Sequence, residues 1–389
     1  MKIKLFFVLL LLTLTTACYN YNELNDLAIS TGMSIDYKEG KYVVNLLIAN
    51  SKKSQASTVE GEAQSIVYEG KGKTISEALK EIDVISPKKV YIGHLSFIVV
   101  SEELAKNGLK DSLDYLIREP ESTKRFYLIV AIKSDAKDVL QIVSPLESFP
   151  SQSISIAISF SKESQAVTSN IPYSSFIERL VQKGIEPVLP SIEIKGNIEE
   201  GKSKKALEET SPKTYLKLSN LVLFKKDKLV HIADEEESYG INIINDNVDE
   251  TLVKIKCNNS EEYINIQLSN VKSNKKYKNN KIILNIKSNA DIQENNCDID
   301  LEDNKNISYI KEETEKKVKK IVEDSIDLAK KYKTDIFGFG NVIYKHNPNY
   351  FDSIYKDWND EEFRKLNIDT NIEIKLEDKG SLKSNIKEA

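Results

Sequence analysis

The sequence predicts an α+β protein of three domains, each a mixed β-sheet with packed helices, set behind an amino-terminal signal peptide. Three observations lead there. Short apolar and β-branched runs alternate with amphipathic helical runs between residues 27 and 144. A Pro- and Ser-rich stretch from Pro145 onward then interrupts that rhythm. Beyond residue 250, strand-like segments surround one long charged helix at about 308–332. The expected divisions are a signal peptide at 1–17, a spacer at 18–26, domains at 27–144, 145–250 and 251–380, and a polar tail at 381–389.

In chain order, Leu27 to Asp36 and Lys41 to Ala49 read as two strands around a turn at Lys38–Gly40, and YVVNLLIAN has the apolar, β-branched bias of a buried strand. Ser51 to Glu62 is polar and reads as a loop, with a further strand at Ala63 to Glu69. Thr74-Ile75-Ser76-Glu77 has the spacing of a capping box, and Ile75, Ala78, Leu79 and Ile82 form the apolar stripe of the helix it opens. Val90 to Val100 predicts one continuous apolar strand carrying His94 as a core or sheet-facing residue rather than a ligand. Helices are expected from Ser101, over Leu109–Ile117 and over Asp135–Ile142, with a strand at Arg125–Ile132.

The middle domain opens with SQSISIAISFS as boundary punctuation. A helix at Ser174–Gln182 and an extended run at Pro187–Ile194 follow. Gly196 to Lys213 lacks apolar periodicity and reads as an exposed linker. Strands at Tyr215–Phe224 and Lys228–Ile232 precede a short helix near Glu235–Ile244. In the last domain, strands are expected near Glu262–Val271, Lys281–Ile292 and Ile368–Leu376. On the long helix, Val318, Ile321, Val322, Leu328, Ala329 and Tyr332 make the buried stripe, and Glu312–Lys316, Glu313–Lys317 and Glu315–Lys319 are spaced for i,i+4 ion pairs.

The formal net charge is −5, and lysines are interspersed with glutamates, so electrostatics give no reason to expect nucleic acid. Catalytic signatures are absent: there is no nucleophile elbow, P-loop or His-Glu-x-x-His. His94, His231 and His346 fall on separate elements. The run Asp335-Ile336-Phe337-Gly338-Phe339-Gly340 contains a kinase-like string but lacks its adjacent order. It reads as a structural motif in which glycines past a helix end permit positive φ and close backbone approach, while Phe337 and Phe339 turn onto a core. Trp358, the sole tryptophan, reads as a core or interface anchor.

At the amino terminus, Lys2 and Lys4 precede an apolar stretch from Leu5 to Leu14, then Thr16, Ala17 and Cys18. As a helix, Leu5 to Ala17 would extend roughly 20 Å against a hydrocarbon core of about 30 Å, so it reads as an export signal. Cys18 is either an incidental residue beside an ordinary cleavage site or the lipidated first residue of the mature chain. The small residue before it and the abrupt polar turn after it favour lipidation. Cys257 and Cys297 are compatible with a disulfide in an exported chain or with free thiols, and spacing does not choose between them.

The chain resembles the spore germination lipoproteins of the Ger(x)C family over nearly its whole length. The likeness is carried by ACYNYNELNDLAISTGMSID at the start, GKTISEALKEI, KKVYIGHLSFIVVSEELAKNGL and LDYLIREPE in the first domain, GIEPVLPSIEI and LSNLVLFKKDKLV in the middle, and KYKTDIFGFGNVIYKHNPNYFDSIYKDW near the end. Tyr19 and Asn20 stand where the family usually has Trp-Asp. The resemblance implies a non-enzymatic protein without a cofactor, joined to the membrane through a diacylglyceryl group on Cys18. It would sit on the outer face of the inner spore membrane and act with the A and B subunits of a nutrient germinant receptor. An extracytoplasmic solute-binding lipoprotein is the alternative, for which a hinged two-lobe architecture is expected.

Overall fold

Backbone pairing begins with a hairpin. In the computed structural model, which describes residues 23, 26–50, 64–120, 123–147, 150–162, 167–257, 261–297 and 299–378, β1 (Leu27–Lys38) and β2 (Lys41–Ala49) pair antiparallel. Glu39 and Gly40 turn between them with φ of 51° and 77°, the left-handed geometry of a tight two-residue turn. Then β3 (Ser65–Gly72) adds to β2, and α1 (Ile75–Ile85) folds back across the sheet. The expected capping box is half formed: Thr74 Oγ1 accepts from Glu77 N at 3.2 Å, but the Glu77 carboxylate accepts from Lys73 N at 2.7 Å, one residue earlier. The signal peptide, Cys18 and the loop expected at 51–62 lie outside the described residues.

The single strand expected at Val90–Val100 is two strands. β4 (Lys89–Tyr91) pairs with Leu27–Ile29 of β1, and β5 (Phe97–Ser101) pairs with Gly32–Ile35 further along. The chain steps out between them at Gly93-His94, matching an irregularity in β1 between Ser30 and Gly32. His94 is therefore exposed on a turn, its ring centroid 5.7 Å from that of Tyr91, rather than a core or sheet-facing histidine.

The next elements are α2 (Glu102–Asn107), α3 (Lys110–Arg118), β6 (Tyr127–Ala131), α4 (Ala136–Gln141), α5 (Pro150–Ser159), α6 (Tyr173–Val181) and β7 (Val188–Lys195). A short α7 (Ile198–Gly201), β8 (Tyr215–Lys225) and β9 (Lys228–Ile232) complete the first sheet, ordered β3-β2-β1-β5-β6-β7-β8-β9 with β4 beside β1. Strands β1, β5, β6 and β7 run parallel, so the sheet is continuous across position 144/145. Its central strand buries both faces: Ile98 and Val100 meet α1, α3 and α6, while Phe97 and Val99 meet α4 and α5.

The Ser-rich run expected as punctuation is helix α5, held to the sheet by Ile154 and Ile158, buried four residues apart. The segment expected as an exposed linker at 196–213 holds α7, whose cap Asn197 accepts from the backbone N–H of Glu199 and Glu200, and a further helical turn.

Helix α8 (Glu235–Ile244) starts at a full capping box between Asp234 and Glu237. A second sheet follows, ordered β10 (Glu250–Lys256), β11 (Tyr263–Lys278), β12 (Lys281–Asn295) and β13 (Ile368–Asp378). It is packed by α9 (Asn304–Lys331), whose Val318, Ile321, Val322, Leu328 and Ala329 share a core with Ile266 and Ile286 of the sheet and with Val188, Leu221 and Leu223 of the first sheet. The Glu-to-Lys pairs expected on α9 do not form as spaced. Glu315 accepts from the backbone N–H of Ile374 at 2.9 Å, and Lys317 reaches across to Glu236 at 2.5 Å. Lys319–Glu323 and Lys320–Asp324 pair in the opposite order. Exposed pairs contribute only a few tenths of a kcal/mol, so contacts to neighbouring elements decide their geometry.

Cys257 and Cys297 are joined in a disulfide with Cα atoms 5.7 Å apart, tying the end of β10 to the segment after β12. The bridge closes a loop of 40 residues, which in the chain-entropy account contributes about 4 kcal/mol. Replacing both cysteines by alanine should lower the stability of the second sheet by roughly 2–4 kcal/mol, read as a fall in melting temperature that added reductant reproduces in the parent chain and not in the variant.

Candidate functional site

Where α9 ends, Lys333 takes a positive φ of 55° and the chain turns into Thr334-Asp335. Three short helices follow: α10 (Phe339–His346), α11 (Pro348–Ile354) and α12 (Phe363–Lys365). Gly338, with φ of 72°, reverses the backbone so that three amides converge on the fully buried Asp335 carboxylate. It accepts from the N–H of Phe337 at 3.3 Å, Phe339 at 3.1 Å and Gly340 at 2.7 Å, and from Trp358 Nε1 at 3.0 Å. Phe337 and Phe339 lie 5.4 Å apart in the same core, and Trp358 packs against Phe351 and Phe363. All six residues of the sequence motif thus meet at one point.

The same point grips the first sheet. The Asp335 carbonyl accepts from Glu186 N at 2.8 Å, and the Asp335 N–H donates to Asn359 Oδ1 at 3.0 Å. Glu186 closes the circuit, its carboxylate accepting from Asn359 Nδ2 and from Lys226 N, both at 2.6 Å. Gly184 meets Gly340 backbone to backbone: a Cβ on Gly340 would lie 2.7 Å from the Trp358 ring and 2.8 Å from the Gly184 Cα. Only glycine fits there.

Two cations cap the loop. Arg179 Nη1 donates to the Ile336 carbonyl at 3.0 Å, and Lys275 Nζ to the Phe337 carbonyl at 2.8 Å. With Asp335 and Glu186 they make a neutral set of four. Burial raises the Asp335 carboxyl above its ordinary range, opposed by the Gly340, Phe339 and Trp358 donors and by the Lys275 ammonium. Burial, then Arg179, pushes Lys275 down to about 8.

Sequence reading did not single out Arg179, Gly184, Glu186, Lys275 or Asn359. Gly184 and Glu186 lie in GIEPVLPSIEI, but Arg179 and Lys275 sit among ordinary charged residues and carry no local signal. Cys18 lies outside the described residues.

Beside this joint is a groove of about 1030 Å³ between α3, α6, the β8–β9 turn and the Trp358 segment. Ile117, Ile177, Leu180 and Ile185 line it, with Lys110 and Asp360 among its charged residues. The joint itself is closed, each carboxylate accepting from fixed donors, so the arrangement is chemically a fastening.

Residues 20–194 match the family described as spore germination protein N-terminal domain, and residues 219–380 match that described as spore germination B3/GerAC like, C-terminal. The chain belongs to the Ger(x)C family. The chain is 26% identical to spore germination protein KC of Bacillus subtilis (strain 168) over 379 residues, covering 94% of this chain and 93% of that protein. It is 24% identical to spore germination protein GerQC of Bacillus cereus over 226 residues, 56% of this chain and 55% of that one. The crystal structure of the GerBC protein shares the fold, with a TM-score of 0.50 at 17% identity, covering 89% of this chain and 96% of that one.

The two Ger(x)C segments meet inside the first sheet, since β7 belongs to the first and its antiparallel partner β8 to the second. The joint has the same division: Arg179, Gly184 and Glu186 come from the first segment, and Lys275, Asp335, Trp358 and Asn359 from the second.

Asp335→Ala should destabilise the chain by about 3–5 kcal/mol, because four buried donors lose their acceptor and the two cations lose a nearby counter-charge; denaturant unfolding measures it. For Lys275, a folded-state value of about 8 lies below the ordinary 10.5. Between those values the unfolded chain binds the proton that the folded chain has lost, so stability rises with pH. Lys275→Met should remove that rise, seen when the melting temperatures of variant and parent are compared from pH 8 to pH 10.5.

Proposed function

We propose that this chain is a lipid-anchored, non-catalytic subunit of a spore nutrient germinant receptor, acting with the A and B membrane subunits on the outer face of the inner spore membrane. The observation that carries the reading is the match of both Ger(x)C segments along the chain, together with relatives named as spore germination proteins. Anchoring is supported by the export-signal pattern that ends at Cys18 and by the lack, among the described residues, of any helix long and apolar enough to cross a membrane. A diacylglyceryl group supplies two acyl chains, enough for stable retention. The soluble body then acts as a scaffold, since confinement to the membrane plane raises its effective concentration near its partners.

The solute-binding alternative calls for two lobes that close about a hinge. Here the two Ger(x)C segments share a β-sheet, a hydrophobic core and the charged joint around Asp335, which supports one body over two hinged lobes.

Cys18→Ala should release the chain from the membrane fraction of spores and slow nutrient-triggered germination while leaving germination by non-nutrient agents unchanged. Full membrane retention with normal nutrient response would overturn the reading.

A further inference from the structure

One end of the first sheet, where its parallel strands begin, gathers exposed apolar side chains around the point at which the chain joins the sheet. Leu27 opens β1 beside Lys89 of β4. Helix α1 runs toward that end: it starts after Gly72, which pairs with Tyr42 next to the far hairpin turn, and stops at Ile85, four residues before Lys89. On its last turn Val84 is 86% exposed and Ile85 51% exposed. Lys88 and Lys89 follow, and among the described residues neither forms an ion pair. Asp83 is the acidic neighbour on the same turn. Helix α6 ends with Val181, 77% exposed, just before the loop that starts β7, three strand spacings or about 14 Å across the sheet from β1.

The tether decides what meets this end. From Cys18 to Leu27 there are nine peptide steps, at most about 32 Å when fully extended. The molecule is longer than that: β11 alone, at 16 residues, spans about 54 Å. On the anchored reading of Cys18, on which this inference rests, the Leu27 end cannot leave the neighbourhood of the bilayer. Val84 and Ile85 are only two exposed side chains at a helix end, far short of the roughly 800 Å² a stable protein interface buries on each side. Apolar side chains at a helix end followed by unpaired lysines match the chemistry of a bilayer interface instead.

We propose that this end is a lipid-contacting face, with Val84 and Ile85 entering the interfacial region of an anionic bilayer and Lys88 and Lys89 meeting its phosphate headgroups. The contact fixes the orientation of the anchored chain and turns the groove at Ile117 and Val181 toward the membrane.

The test uses the mature chain with Cys18→Ser, which has no acyl group, so its outcome does not depend on lipidation. In flotation with vesicles of phosphatidylcholine and phosphatidylglycerol, roughly 7:3, this chain should bind, and binding should fall with added salt and vanish on phosphatidylcholine alone. The added double substitution Val84→Asp with Ile85→Asp should weaken binding roughly tenfold without moving the melting temperature, since both sites are exposed. Lys88→Glu with Lys89→Glu should abolish the dependence on phosphatidylglycerol. Absence of binding by the Cys18→Ser chain, or equal binding by all three chains, would overturn the proposal and leave this helix end to a protein partner. Failure of the anchored reading shows separately, as an unacylated amino-terminal peptide in the mass spectrum of the native protein.

Discussion

The structure depends on one carboxylate. Asp335 is fully buried and accepts from three consecutive-turn amides and an indole, while its own backbone N–H and carbonyl are taken by Asn359 and Glu186. Apolar contact between the two Ger(x)C segments is extensive but non-directional, and would tolerate small rotations of one against the other. The Asp335 bonds do not. Each N–H must point at an oxygen within about 3 Å, so a shift of a fraction of that distance breaks several together and strands buried donors.

The surrounding residues follow from that demand. A loop that folds three amides onto one side chain needs a left-handed residue, and Gly338 supplies it. Bringing Trp358 Nε1 to the same oxygen as Gly340 N leaves no room for a side chain at position 340, and Gly184 must then be bare on the other side. A buried negative charge needs compensation, which Arg179 and Lys275 provide while satisfying the carbonyls of Ile336 and Phe337. Glycines, aromatics and cations far apart in sequence are thus consequences of a single acceptor.

Legibility in the sequence divides along the same line between local and non-local causes. Strand β2, helix α8 and the buried stripe of α9 were readable because propensity, capping residues and periodicity all act within one element. The motif at 335–340 was readable as a structural turn because glycine spacing and alternating phenylalanines are local too. The break at Gly93-His94 was not, since it answers an irregularity in β1 some sixty residues earlier, and an apolar run reads the same whether it pairs once or twice. Nor was the role of Arg179 or Lys275, because a charged residue on a helix face or a strand looks solvated until its partner's position is known. The helical turns within 196–213 escaped for a different reason: with Gly201 buried but little periodic apolar content, their order comes from the Asn197 cap and the contact with Thr214.

The position of the joint bears on how the two segments are held together. It sits at the strand-start end of the first sheet, where Gly184 and Glu186 lead into β7, and the groove of about 1030 Å³ borders it through Glu186, Trp358 and Asn359. Anything that presses on that groove meets the Glu186–Asn359 pair before it meets the second sheet. Asn359 also holds the Asp335 backbone, and Asp335 holds the start of α10, so an unbroken run of bonds joins the groove wall to the helices that share a core with β11. A flexible linker would leave the segments free to rotate against each other; a shared sheet and a buried, fully bonded carboxylate hold them in one arrangement.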